Sequence, residues 1–424
     1  MKALRIGLCA VAAFAVAAHG AVEVWSESAL WMAAAVLALV WVYTLLRDEH
    51  PEVRWNPLLV PVGVLVVLAA VQWLAGLSAY PYLTRMAALR GLALWVLLFL
   101  FVQAFRTRRQ FIGLAWFLLI VAFLASVQGI LQHHTFNGKL YWVRELTSGG
   151  IPFGPYVNRN HFAGLIEMIA PLGLALLVLR GLRRELLPLA GLLTVIPIGA
   201  LFLSASRGGI VSFAVQVVLL LLVVWTRPAG GRRLLPVVGV LLAAGAFLMW
   251  LDVGRAFDRF VGSSAGDVTR SRRVGMVRDT WRIFLDHPVA GAGFGTLVAV
   301  YPRYETLYDG KVVEHAHNDY VQTLAEGGTL GGGLALTFLA MFLWGGLKKL
   351  EQESDTACAA VRVGAMVGCC GLLVHGLVDF NLQIPSHIFI FLMLALVSVT
   401  GFEILKPATW KGNAGHPTGP VLWP

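Results

Sequence analysis

Residues 311–333 read KVVEHAHNDYVQTLAEGGTLGGG, a polar lead with two histidines that turns abruptly into a glycine-studded apolar run. Such a transition marks a membrane surface. His315 and His317 stand just before a helix enters lipid, where a helix start offers N–H groups and the positive end of its dipole to an anion such as a phosphate. The rest of the chain reads as the wall of a membrane cavity facing this helix start.

Working outward, 58% of the 424 residues are hydrophobic and only 13% are charged, which excludes an ordinary soluble protein and points to an all-α polytopic membrane protein. Apolar windows fall near 6–22, 28–46, 57–76, 87–105, 111–131, 162–180, 188–205, 209–226, 234–251, 319–347, 357–377 and 386–404, about twelve spans at roughly 20 residues each. The net charge of +10 does not speak for nucleic acid, because Lys and Arg collect on cytoplasmic loops. Arg47/Arg54, Arg106/Arg108/Arg109, Arg180/Arg183/Arg184, Arg227/Arg232/Arg233 and Lys348/Lys349 all fall on one side if both termini are cytoplasmic. The basic start (Lys2, Arg5) is read as a retained first span and not a cleaved signal. All four cysteines lie in apolar runs and provide no disulfide framework.

This reading divides the chain into a transmembrane domain over 1–405 and a disordered cytoplasmic tail over 406–424. A periplasmic loop subdomain over 252–318 is inserted between spans nine and ten. That loop carries Arg255, Arg259, Arg270, Arg272, Arg273, Arg278, Arg282 and Arg303 against the positive-inside trend. Within it, SRRVGMVRDTWRIFLDH (271–287) places Val274, Val277, Trp281, Phe284 and Leu285 at helical spacing, which predicts an amphipathic helix lying on the membrane and stopped at Pro288.

Four polar clusters share the extracytoplasmic side: GPYVNRNHFAG (154–164), SASRGG (204–209), Arg272/Arg273 and HAHNDY (315–320). Arg207, at the end of two spans, needs an anionic partner or water; its donor fork suits phosphate, and Gly208 and Gly209 let a headgroup approach. Snorkelling is its bland alternative, and for Arg273 the alternative is lipid headgroup contact. Asn158, Arg159, Asn160 and His161 read either as substrate contacts or as a capped helix start with Asn160 as N-cap. His315 and His317 could bind a metal, cap the loop, or supply a general base. The base is favoured, since nearby arginines and a helix start push an imidazole toward its neutral form. Glu326, deeper in the span, needs a partner or a water-filled cavity. The Gly327/Gly331 and Gly328/Gly332 pairs suggest close helix packing, and His375 and Asp379, four apart, are expected to share a face and bond one another.

His317-Asn318, nine residues, Gly328, two residues and Gly331 resemble the signature of the O-antigen ligase and polymerase superfamily of bacterial envelope glycosyltransferases. GPYVNRNHFAG, SRGG, Arg273 followed by WRIFLDHPVAGAGFG, and HGLVDFNLQIP (375–385) are similar to family segments in the family order. The resemblance, covering about Gly154 to Pro385, implies transfer of a glycan from a polyprenyl (undecaprenyl) diphosphate carrier to an acceptor at the periplasmic face of the inner membrane. It implies no nucleotide sugar, cofactor or metal. By position His317 takes the catalytic role, Arg207 and Arg273 hold the diphosphate, and Arg159, Asn160, Ser206, His315, Asn318 and Tyr320 complete the substrate-binding set. His315 adds a second histidine to the family pattern, so either could be the base. The histidine–glycine signature favours a ligase acting on lipid A–core oligosaccharide. A polymerase, a protein O-oligosaccharyltransferase and, from another class, a lipid or polysaccharide transporter remain alternatives.

Overall fold

A computed structural model describes residues 1–146, 151–179, 181–225, 238–240, 242–246, 264–308 and 310–401, and these are mostly helical. Helices α1 (Lys2–Ala17), α2 (Val24–Leu46), α3 (Leu59–Leu74), α4 (Pro81–Ala104) and α5 (Arg108–His134) come first. A short hairpin, β1 (Lys139–Leu140) and β2 (Arg144–Glu145), precedes α6 (Arg159–Val178), α7 (Leu187–Leu203) and α8 (Arg207–Trp225). The last part holds α9 (Ser264–Asp286), α10 (Leu297–Val300), α11 (Asp319–Glu351), α12 (Thr356–His375) and α13 (Pro385–Val399).

Among the described residues, eight helices are long and apolar enough to cross a membrane: α2, α4, α5, α6, Arg184–Leu203, α8, α11 and α12. The chain is an all-α polytopic membrane protein. Of the other expected spans, the third and twelfth are the shorter apolar helices α3 and α13, and the first is the 16-residue α1. Most of the ninth, near 234–251, and the tail over 406–424 lie outside the described residues.

The bundle is centred on α6 and α12, whose apolar windows are 94% and 83% buried. They approach closely because Gly364 and Gly368 of α12 face the backbone of Met168, Pro171 and Leu172 with no room for a Cβ. At the far end of this pair the buried Arg362 donates to Thr400 O (3.1 Å), to Ser398 O and to Glu353 Oε2 (3.3 Å), closing the last carbonyls of α13.

Helix α11 is broken at Gly328, where φ is +63° and ψ −162°. The free backbone groups are taken up by residues 288–293: Thr329 N–H donates to Pro288 O (2.8 Å), and Ala292 and Gly293 donate to Ala325 O and Glu326 O (2.8 and 3.0 Å). Gly327 and Gly331 lie under the Phe294 ring and Gly328 against Val289 O. These glycines therefore seat a loop inside a broken helix, where helix-on-helix packing was expected. Glu326 has the partners a carboxylate at that depth needs: Leu297 N–H donates to its Oε1 at 3.1 Å and Gln322 Nε2 lies 3.3 Å away.

The expected amphipathic helix is α9. Val274, Trp281 and Leu285 are exposed on the side suited to lipid. Met276 and Ile283, on the other side, join a small buried cluster with Leu297, Val300, Tyr301, Val313 and Ala316.

Candidate active site

The site forms where the starts of α6, α8 and α11 meet the turn after α12. That turn, 376–380, follows immediately on His375, and its backbone is held to α11. Asp319 N–H donates to Gly376 O (2.9 Å), Asn318 Nδ2 to Leu377 O (2.9 Å) and Tyr320 Oη to Leu373 O (2.6 Å). Asn318 Oδ1 also caps α11 by accepting from Tyr320 and Val321 N–H. The helix start is thus already closed by its own side chain, where free N–H groups for an anion were expected, and Asn318 and Tyr320 hold the joint together.

Asp379 is the centre of the arrangement and is fully buried. Its Oδ1 lies 3.1 Å from His317 Nδ1 and accepts from Phe380 N–H (3.0 Å). Its Oδ2 accepts from Asn160 Nδ2 (2.5 Å) and stands 3.8 Å from Arg273 Nη2. Burial pushes the Asp379 carboxyl up, but the hydrogen bond and charge of His317, with His161 and His375, outweigh it and hold the group well below the usual carboxylate range. An ionised Asp379 accepts the Nδ1–H of His317, which leaves Nε2 with a free lone pair. His317 is at φ +51°, a left-handed conformation that histidine tolerates better than most residues, one position before the cap.

Arg273 also donates to Val378 O (3.1 Å), so it and His317 share both a turn and a carboxylate. Arg207 opens α8 beside them. Ser206 before it donates to Asn160 Oδ1 (2.9 Å) and accepts from Gly209 N–H (3.2 Å). A Cβ at Gly208 after it would stand 2.6 Å from His375 Nε2 and 3.1 Å from Val378 Cγ2. Arg207, Arg273, Asn160, Ser206 and His317 are thereby brought to one end of the bundle.

Two expectations change. Asn158, and not Asn160, caps α6, accepting from Asn160 N–H (2.9 Å) and leaving the Asn160 side chain to bridge Asp379 and Ser206. His375 and Asp379 do not bond through their side chains, because α12 ends at His375; its Nδ1 instead faces Glu167 Oε1 at 3.0 Å. The two histidines also separate. His315 stacks on Phe380 (4.4 Å between centroids), with its Nδ1 3.1 Å from Gln322 Nε2, and burial lowers it to about 4. His317 meets the same ring edge-on at 4.8 Å. Arg159, at the first turn of α6, lines a pocket with His133 and Phe153.

An apolar groove of about 720 Å³ begins at Asp319 and Tyr320 and runs between α2, α3, α4, α11 and α13. An ion pair between the exposed Arg90 and the buried Glu27 lines it. Phe380 and Asp379 as a partner of His317 escape sequence reading; the dense HGLVDFN stretch was the one signal for them.

Residues 192–336 match the family described as O-antigen ligase. The match includes Arg207, Arg273 and His317 and bears out the resemblance to the O-antigen ligase superfamily. No curated protein matches the chain.

Proposed function

We propose that this chain is an O-antigen ligase, moving a glycan from a polyprenyl diphosphate carrier to a sugar hydroxyl of lipid A–core oligosaccharide at the periplasmic face of the inner membrane. The observation that carries the reading is the shared carboxylate: Asp379 holds His317 on one oxygen and has Arg273 near the other. A base and a cation are thereby fixed at one end of a membrane bundle.

The acceptor hydroxyl attacks C1 of the first donor sugar, and the bond from C1 to the diphosphate oxygen breaks. The hydroxyl proton passes to Nε2 of His317, and the imidazolium formed is stabilised by Asp379. The diphosphate leaves as an anion already weakly basic, so it needs the guanidinium groups of Arg207 and Arg273 more than a proton. One displacement inverts the anomeric centre. The polyprenyl chain lies in the apolar groove that opens at Asp319 and Tyr320.

The broken α11 is a feature that transporters share, but here residues 288–293 fill the break, which favours the transferase. The test incubates purified protein with lipid-linked glycan and lipid A–core in the presence of chelator and without nucleotide. Glycan on lipid A–core is the expected product. Longer glycan still on the carrier would make the chain a polymerase, and no transfer to either would end the reading.

A further inference from the structure

Beside the site, on the other flank of the α6 start, lies a pocket of about 370 Å³ lined by Gln132, His133, Phe136, Phe153 and Arg159 among others. We propose that it is a saccharide subsite, holding a sugar of the transferred or receiving glycan some way from the reacting carbon. The proposal rests on the glycan-transfer reading above and adds a place where the glycan is gripped.

The polar group that points to a ligand is Gln132. It is 2% exposed, yet its Nε2 has no hydrogen-bond partner among the described residues. The orientation of its amide is fixed, since Oε1 accepts the backbone N–H of Tyr141 (3.0 Å) and contacts Gln128 Nε2 (2.6 Å). A buried donor left unmade is costly unless something occupies the pocket to accept from it. A sugar hydroxyl is such an acceptor.

The walls fit the same ligand. Phe136 and His133 are exposed, and the His133 ring lies 5.9 Å from that of Phe153, offering apolar faces to the C–H surface of a pyranose. Among the described residues no carboxylate lines the pocket, and a volume of this size falls within the roughly 300–1,000 Å³ of small-molecule sites. The pocket is also held in shape. Tyr141 and Trp142 adopt φ of +53° and +63° in the hairpin turn, and Trp142 Nε1 donates to Thr135 Oγ1 (2.8 Å), which ties the hairpin to the end of α5.

Position makes the subsite useful. Arg159 and Asn160 are consecutive, about 3.8 Å apart at Cα; the first lines the pocket and the second donates to Asp379. The start of α6 thus borders both the pocket and the carboxylate that holds His317.

The experiment has two arms on the full chain in detergent. The first measures saturation-transfer NMR from the protein to the free oligosaccharide released from the carrier by mild acid, and separately to the free core oligosaccharide. The arm that gives signal identifies whether the bound sugar comes from donor or acceptor. Gln132→Leu, His133→Ala and Phe136→Ala should each weaken that signal. The second arm measures transfer kinetics, where KM for the same partner should rise about tenfold with kcat little changed. His133→Ala and Phe136→Ala alter exposed side chains and test the pocket even if Gln132→Leu misfolds. Absence of signal from both oligosaccharides, or KM values unmoved in all folded variants, would overturn the subsite. Binding of a saccharide without any transfer by the parent protein would instead overturn the transferase reading and leave the subsite standing.

Discussion

His317 Nδ1 lies 3.1 Å from Asp379 Oδ1, although the two residues are 62 positions apart in the chain. The contact decides which imidazole nitrogen carries the proton, because an ionised carboxylate can only accept. Asp379→Asn keeps the shape but presents an amide that no longer enforces this tautomer. Glycan transfer should fall by about 10²–10⁴-fold in kcat, with the donor KM changed far less. Steady-state transfer by the folded variant checks this, and a loss below tenfold would remove Asp379 from the mechanism.

The two histidines of the HAH segment should separate in the same assay. His317→Ala is expected to lose about 10²–10⁴-fold, whereas His315→Ala, which removes a ring stacked on Phe380, should retain activity within about tenfold because its Nδ1 is turned to Gln322 and not to Asp379. Equal losses would leave the base unassigned to His317.

His315 also sets a pH dependence of stability. Burial lowers its folded value from 6.5 to about 4, so between those values the unfolded chain binds the proton more readily. Stability is then full above about 6.5, falls as pH drops toward about 4, and receives no further contribution from this group below that. Thermal unfolding in detergent across this window should show a shallower decline for His315→Gln than for the parent. Parallel curves would contradict the assignment.

Much of the site was legible because arginines and histidines at membrane boundaries are costly enough to need a reason. Arg207 stands out on that ground alone, as does the amphipathic helix on its spacing, whereas Arg273 and the choice of His317 over His315 came from the family resemblance. Asp379 was visible as a residue but not as a partner. Reading it with His375 assumed that one helix carried both, and α12 stops at His375, so that the next four residues turn Asp379 toward α11 and α6. The α11 glycines failed similarly, since four-residue spacing suits both helix packing and a seated loop. Only the positive φ of Gly328 and the hydrogen bonds from residues 288–293 distinguish them.

That distinction predicts opposite effects for two glycines in one helix. Gly328→Ala would place a Cβ at φ +63° against Val289 O and Gly291 N, and should destabilise the protein by about 1–3 kcal/mol or more. Gly333 meets nothing within 4 Å, so Gly333→Ala should be neutral or stabilise by about 0.5–1 kcal/mol through the helix interior. In thermal unfolding of the two variants side by side, the Gly328→Ala midpoint should fall while that of Gly333→Ala stays level or rises.

Gly208 tests whether Arg207 works from its present position. A Cβ there would press on His375 Nε2 at 2.6 Å and on Val378 Cγ2 at 3.1 Å, so Gly208→Ala should push the start of α8 away from the turn whose Val378 carbonyl holds Arg273. Both arginines would then lose the arrangement proposed for holding the diphosphate. Arg207→Ala and Arg273→Ala should each cost about 10²–10³-fold in kcat. Gly208→Ala, with both arginines present, should cost a substantial part of the same loss and should add little to Arg207→Ala in the double variant. Fully additive losses would mean that the glycine and the arginine act apart.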